Sequence, residues 1–101
     1  MEEECTDLVQ ESNQAGDKHY RTMTTWLTGG RTRTLLNRAY RFALAYRRAL
    51  QWVIDCYGRI RNSVRAKRKL EEAVEFKSLV EKDIVILEQR GAMLTDEPSS
   101  E

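Results

Sequence analysis

Hydrophobic positions fall into helical periods along most of the chain. Tyr20, Met23, Trp26 and Leu27 recur at steps of three, three and one, which places one apolar face on a short helix near 17–28. Asp17 stands where a helix cap belongs, and Gly29-Gly30 stands where a left-handed helix end prefers glycine. Thr22, Thr24 and Thr25 work against this helix, because β-branched residues lose rotamer freedom there.

From Thr34 onward the pattern is stronger. Thr34 is the expected N-cap of a long helix near 34–61. From it Leu35, Ala39, Ala43, Tyr46, Leu50, Val53, Tyr57, Ile60 and Val64 form one stripe, which Leu36 and Ile54 widen. Gly58 lies inside this helix and costs about 1 kcal/mol against Ala. Asn62-Ser63 follows, so the chain either kinks or turns between Gly58 and Ser63. A further helix near 64–90 carries Leu70, Ala73, Val74, Lys77, Val80, Ile84 and Leu87 at steps close to a heptad. Leu79 and Ile86 point away from that seam, so two sides of this helix carry apolar residues. Gly91 is the expected stop.

The expected fold class is therefore all-α. A short N-terminal helix is followed by two long helices, arranged as a helical hairpin or as one long kinked helix, and assembled as a dimeric helical bundle. The first long helix offers more apolar surface than one partner helix covers. The oligomer interface expected from this excess contains Leu35, Tyr46, Leu50, Val53, Tyr57, Ile60, Leu70, Val74, Val80, Ile84 and Leu87. Residues 1–16 hold only Cys5, Leu8 and Val9 to bury and read as an acidic mobile arm. The helical domain then spans 17–91, and 92–101, with the only Pro and three acids, reads as a disordered tail.

Composition narrows the class. With 101 residues and 41% hydrophobic content, the chain supports one small core, for which oligomerisation is a natural supplement. No uncharged run approaches the roughly 20 apolar residues of a membrane span. The start Met1-Glu2-Glu3-Glu4 has the wrong sign for a signal peptide, so the expected location is intracellular, cytoplasmic or nuclear. Cys5 and Cys56 lie far apart and form no redox motif, so two free thiols are expected ahead of a lone bridge between them.

Charge is the most informative feature. The net charge is +1, but it conceals three blocks. Residues 1–20 are acidic, with six acids against Lys18. Residues 21–69 carry thirteen bases against Asp55 alone, and eleven of the thirteen are Arg. Residues 70–101 are acidic again, with nine acids against Lys77, Lys82 and Arg90. A basic block of 31–69 beside an acidic helix over 70–90 points to an anionic partner for the middle of the chain. Arginine favours planar, bidentate contacts to phosphate.

Arg38, Arg41, Arg48 and Arg59 fall within about 80° of helix arc, opposite the apolar stripe, over roughly 30 Å. Trp52 lies among them, positioned to stack on a base or to pack on Arg48, and Asp55 is spaced to bridge Arg48 or Arg59. Arg59, Arg61, Arg65, Lys67, Arg68 and Lys69 put six bases into eleven residues, spread round the helix rather than aligned. Together these ten positions are the candidate nucleic-acid contacts. The chain lacks a zinc finger, an RNP-like strand and a recognition helix after a tight turn, so the contact expected is with backbone rather than base. The reading is a non-enzymatic protein that binds nucleic acid, RNA before DNA and duplex RNA foremost, without reading sequence. Its size and charge blocks also suit a viral accessory protein. The alternative is a helical protein–protein adaptor or oligomerisation module whose acidic second long helix neutralises the basic one.

Catalytic chemistry finds little footing. His19 is the only His and reads as an exposed bystander. The sequence has no His pair, Cys cluster or HExxH spacing, so neither a metal nor a cofactor is expected.

Overall fold

The computed structural model describes residues 2–94. They form three α-helices, α1 (Glu2–Thr28), α2 (Arg33–Gly58) and α3 (Val64–Gln89), with no strand among the described residues.

Helix α1 is longer than the hydrophobic pattern predicts. Residues 2–16, expected as a mobile arm, are its first four turns. Its inward seam steps Cys5, Val9, Ser12, Gly16, His19, Met23, Trp26, which is four-three spacing throughout. Four of these are Cys, Ser, Gly and His, which carry little apolar signal, so the period is present but muted. Glu2, Glu3 and Glu4 occupy the first turn, where carboxylates complement the positive helix end. Gly16 is needed where it stands. A Cβ there would lie 2.9 Å from the Tyr46 ring, so glycine lets α2 approach closely.

Helix α2 opens at Thr32, two residues before the expected cap. Its backbone is extended, and its side-chain oxygen accepts a hydrogen bond from the Leu35 amide at 3.2 Å. Leu36, Ala39, Ala43, Tyr46, Leu50, Val53 and Tyr57 form its buried stripe, while Tyr40, Ala49 and Cys56 broaden the buried face. That breadth follows from position, since α1 and α3 both pack along α2. Ala39 and Ala43 are wholly buried and allow the close approach.

The chain turns rather than kinks after Gly58. Asn62 takes the left-handed conformation (φ 60°), and Ser63 caps α3 by accepting from the Ala66 amide at 3.1 Å. Helix α3 therefore returns antiparallel to α2. Tyr40 donates to the Glu88 carboxylate at 2.7 Å, and the Met93 amide donates to Asn37 at 2.9 Å. The α3 seam is Ala66, Leu70, Ala73, Lys77, Val80, Ile84 and Leu87. Lys77 is tolerated there because its stem lies along the seam while its ammonium reaches Glu81 at 3.7 Å. The helix ends in paired bonds from the Ala92 amide to the Leu87 carbonyl and from the Gly91 amide to the Glu88 carbonyl, with Gly91 at φ 94°.

Two expectations are corrected by this packing. Cys5 and Cys56 are not free thiols but a disulfide, with Cα atoms 5.6 Å apart. Helix α1 runs antiparallel to α2 and brings residues 51 apart in sequence into register. Such a bridge persists in oxidising compartments and is rare in the cytosol. The expected oligomer interface is also spent within the chain. Tyr46, Leu50, Val53, Tyr57, Val80, Ile84 and Leu87 are buried in the monomer's own core, and Leu35, Ile60 and Leu70 pack partly against it. Val74 is 50% exposed and lies off the seam. The missing cover for α2 comes from the turns of α1 that the sequence reading left unfolded. Of the expected tail, Ala92, Met93 and Leu94 are described, and 95–101 lie outside the described residues. None of the helices is long and apolar enough to cross a membrane.

Candidate nucleic-acid interface

Because α1 and α3 bury one broad face of α2, the opposite face looks to solvent. It carries Arg38, Arg41, Ala45, Arg48, Trp52, Asp55 and Arg59, at steps of three and four, and all seven are exposed. The predicted stripe is therefore a real surface feature of α2, but its two halves differ.

The N-terminal half is basic. Arg41 and Arg48 line a shallow recess with Tyr40, Leu44, Ala45, Arg47, Glu88 and Leu94. Three guanidinium groups share this recess with one carboxylate, and Glu88 is engaged by the Tyr40 hydroxyl. That bond to Glu88, with burial, raises the Tyr40 pKa above its ordinary value. Arg38 continues the row one turn toward the helix start. From Arg38 to Arg48 the rise is about 15 Å.

The C-terminal half is not free for an anion. Trp52, Asp55 and Arg59 line a second recess with Glu4, Asp7, Leu8 and Cys56. The disulfide brings the acidic turns of α1 to this end, so Arg59 sits beside three carboxyl-bearing residues. Trp52 is 49% exposed. The ring-to-cation contact among the described residues is elsewhere, where Arg31 lies 5.2 Å over Trp26. Asp55 accepts from Gln51 at 2.9 Å rather than bridging Arg48 or Arg59.

The basic cluster after Gly58 does not form one surface. Arg61, Arg65, Lys67 and Arg68 are exposed around the turn and the start of α3. Lys67 borders a recess with Tyr57, Ile60 and Leu70. Lys69 faces the α1 side, in a recess with Val9, Ser12, Asn13, Glu72 and Phe76. Helix α3 does not cover the stripe. Ion pairs among the described residues include His19–Asp83 and Lys77–Glu81, and Arg38, Arg48 and Arg59 pair with no described α3 carboxylate.

Two features escaped sequence reasoning. Arg47 joins Arg41 and Arg48 because α3 ends beside it, a neighbourhood that the phase of α2 alone does not reveal. His19 is no bystander. It is fully buried, with Nε2 2.8 Å from Asp83 Oδ2 and the Tyr20 and Tyr46 rings at 4.7 and 6.1 Å. Its Nδ1 has no hydrogen-bond partner. The His19 ring is sealed from solvent, while Asp83 is partly exposed. The pair ties α1 to α3, as does the bond from Ser63 to Glu2 at 3.2 Å. Seven-residue spacing from Cys5 through Ser12 to Trp26 was the available signal. Among the described residues, no group of three ligating side chains is arranged to hold a metal ion. No protein-family model, curated protein or solved structure matches this chain, so the site rests on its own residues.

Proposed function

We propose that the protein binds nucleic acid through the outer face of α2, contacting the phosphate backbone without reading sequence, with duplex RNA as the preferred form. The observation that carries this reading is the row Arg38, Arg41, Arg48, exposed on one helix face with Arg47 beside it and the neutral Ala45 between. Guanidinium groups at this spacing engage successive phosphates, and the face carries only the shallow recess beside Arg41 and Arg48. A straight exposed helix suits the wide, shallow minor groove of A-form RNA, where shape and backbone are what a protein meets. The acidic first turns of α1 lie beside Trp52 and Arg59 and confine the contact to the N-terminal half of α2.

The experiment is a mobility-shift panel with single- and double-stranded RNA and DNA of unrelated sequence at two salt concentrations. The expected result is binding that is strongest for duplex RNA, indifferent to sequence and weakened by salt. A homodimer is the assembly in which we place this activity. The adaptor reading is favoured by a different observation, the partly uncovered apolar residues on the flank of α3 toward α1. We assign these to a second copy of the chain.

A further inference from the structure

Helix α3 has a second seam that the fold leaves open. Its first seam packs on α2. On the flank of α3 toward α1 lies another row, Glu72, Phe76, Leu79, Asp83, Ile86 and Arg90, at steps of four, three, four, three and four. Phe76 is 43% exposed, Leu79 44% and Ile86 42%, so three large apolar residues in one line meet water. Tyr20, 42% exposed, stands beside this row on α1, close enough to Asp83 that the carboxylate adds to the burial that raises its pKa. Asp83 is not loose within the row, because His19 holds it. The four exposed side chains present roughly 350 Å² of apolar surface, the size at which a patch on a small protein is commonly functional.

The row is self-complementary. Its spacing reads the same in both directions about position 81, and its ends carry opposite charges, Glu72 and Arg90. A two-fold axis through that point sets Glu72 of one copy against Arg90 of the other, twice. The same axis sets Phe76 against Ile86, twice, and Leu79 beside Asp83, twice, where the carboxylate keeps its bond to His19. We propose that this face is the homodimer interface, in which the α3 helices of two copies pack antiparallel along their second seams. The charge pattern selects a second copy as the occupant, since a two-fold interface must place the same patch against itself. The contact runs about 27 Å along each helix. With the flanking polar residues it reaches the lower end of specific interfaces, which fits a dissociation constant on the order of micromolar. The inference is independent of nucleic-acid binding, because the arginine row lies on the far side of α2 and stays exposed on both copies.

Sedimentation equilibrium of the full chain tests this, with far-UV circular dichroism as the control for folding. The expected result is a reversible monomer–dimer equilibrium. Leu79→Asp abolishes it, while helicity is kept because Leu79 is outside the core. Glu72→Arg and Arg90→Glu each weaken the dimer about three- to tenfold by opposing like charges, and the double substitution restores it. A monomer at all concentrations overturns the proposal, as does a dimer indifferent to Leu79→Asp. Single charge changes without effect, or a double change without rescue, overturn the antiparallel register. Should Leu79→Asp fail to fold, the charge-exchange pair decides alone, since both residues are exposed.

Discussion

Reducing the Cys5–Cys56 bridge is expected to remove a large share of the stability of this fold. The bridge closes a loop of 51 residues that contains nearly all of α1, the Gly29-Gly30 turn and nearly all of α2. In the chain-entropy account, freeing a loop of that length returns about 4 kcal/mol to the unfolded state. A domain of this size has only 5–15 kcal/mol in total, by typical figures. At roughly 4–8 °C per kcal/mol, the melting temperature should fall by about 15–30 °C. Both sulfurs are buried, and the bridge sits where the acidic start of α1 meets the end of α2. Thermal melts by circular dichroism with and without a phosphine reductant measure the difference, and a Cys5→Ala/Cys56→Ala double variant should match the reduced chain. Hydrogen exchange should show the loss concentrated in the first turns of α1. The reasoning fails if oxidised and reduced chains melt within about 5 °C of each other, or if the folded chain titrates with two free thiols under non-reducing conditions.

Other perturbations follow from the packing. Asp83→Ala leaves both nitrogens of the buried His19 unpaired and should cost about 2 kcal/mol, seen as a lower urea midpoint with an unchanged slope. Replacing His19 and Asp83 together by Leu should recover part of that loss, because no polar group is then stranded. Gly91→Ala forces a side chain into a left-handed position at the end of α3 and should cost about 1 kcal/mol by the same assay. Burial, with the neighbouring Tyr20, pushes the Tyr46 pKa up to about 12, so the folded chain holds its proton where the unfolded chain has released it. Stability should therefore be intact below pH 10 and decline as pH rises from about 10 to 12. Alkaline unfolding of the parent and of Tyr46→Phe separates this contribution, since the variant keeps only the shallower slope that Tyr20 and Tyr40 supply.

The long helices were legible because their buried residues are strongly apolar. Leu50, Val53, Val80, Ile84 and Leu87 announce the period, and once the buried face of α2 is known the exposed arginine row follows by geometry. The first four turns of α1 were not legible for a chemical reason. Cys5, Ser12, Gly16 and His19 keep the seam spacing but are chosen for fit rather than hydrophobicity: a disulfide, a hydroxyl bonded to the Val9 carbonyl, a gap for the Tyr46 ring and a clamp to Asp83. Missing these turns had three consequences. The cysteines read as separate, the core of α2 read as surplus for a dimer, and Trp52 and Arg59 read as open to phosphate. Each depends on where α1 lies, which no local pattern in α2 encodes. The start of α2 illustrates a smaller effect. Thr32 and Thr34 are equally good caps by residue type, and the Gly29-Gly30 turn decides between them.

The central claim is that three arginines on the N-terminal half of α2 hold nucleic-acid phosphates. The salt dependence of affinity for a labelled duplex RNA, followed by fluorescence anisotropy, tests it most directly. Three contacts predict a slope of log affinity against log salt of roughly −3 per chain, taking the value of about −0.9 per phosphate known for B-form DNA as comparable for RNA. Arg38→Gln/Arg48→Gln should bring the slope to about −1 on every sequence tried, with helicity unchanged, whereas Arg59→Gln should leave it nearly unaltered because that residue stands among the acids of α1. A slope untouched by the first variant, or binding absent in low salt, would contradict the account.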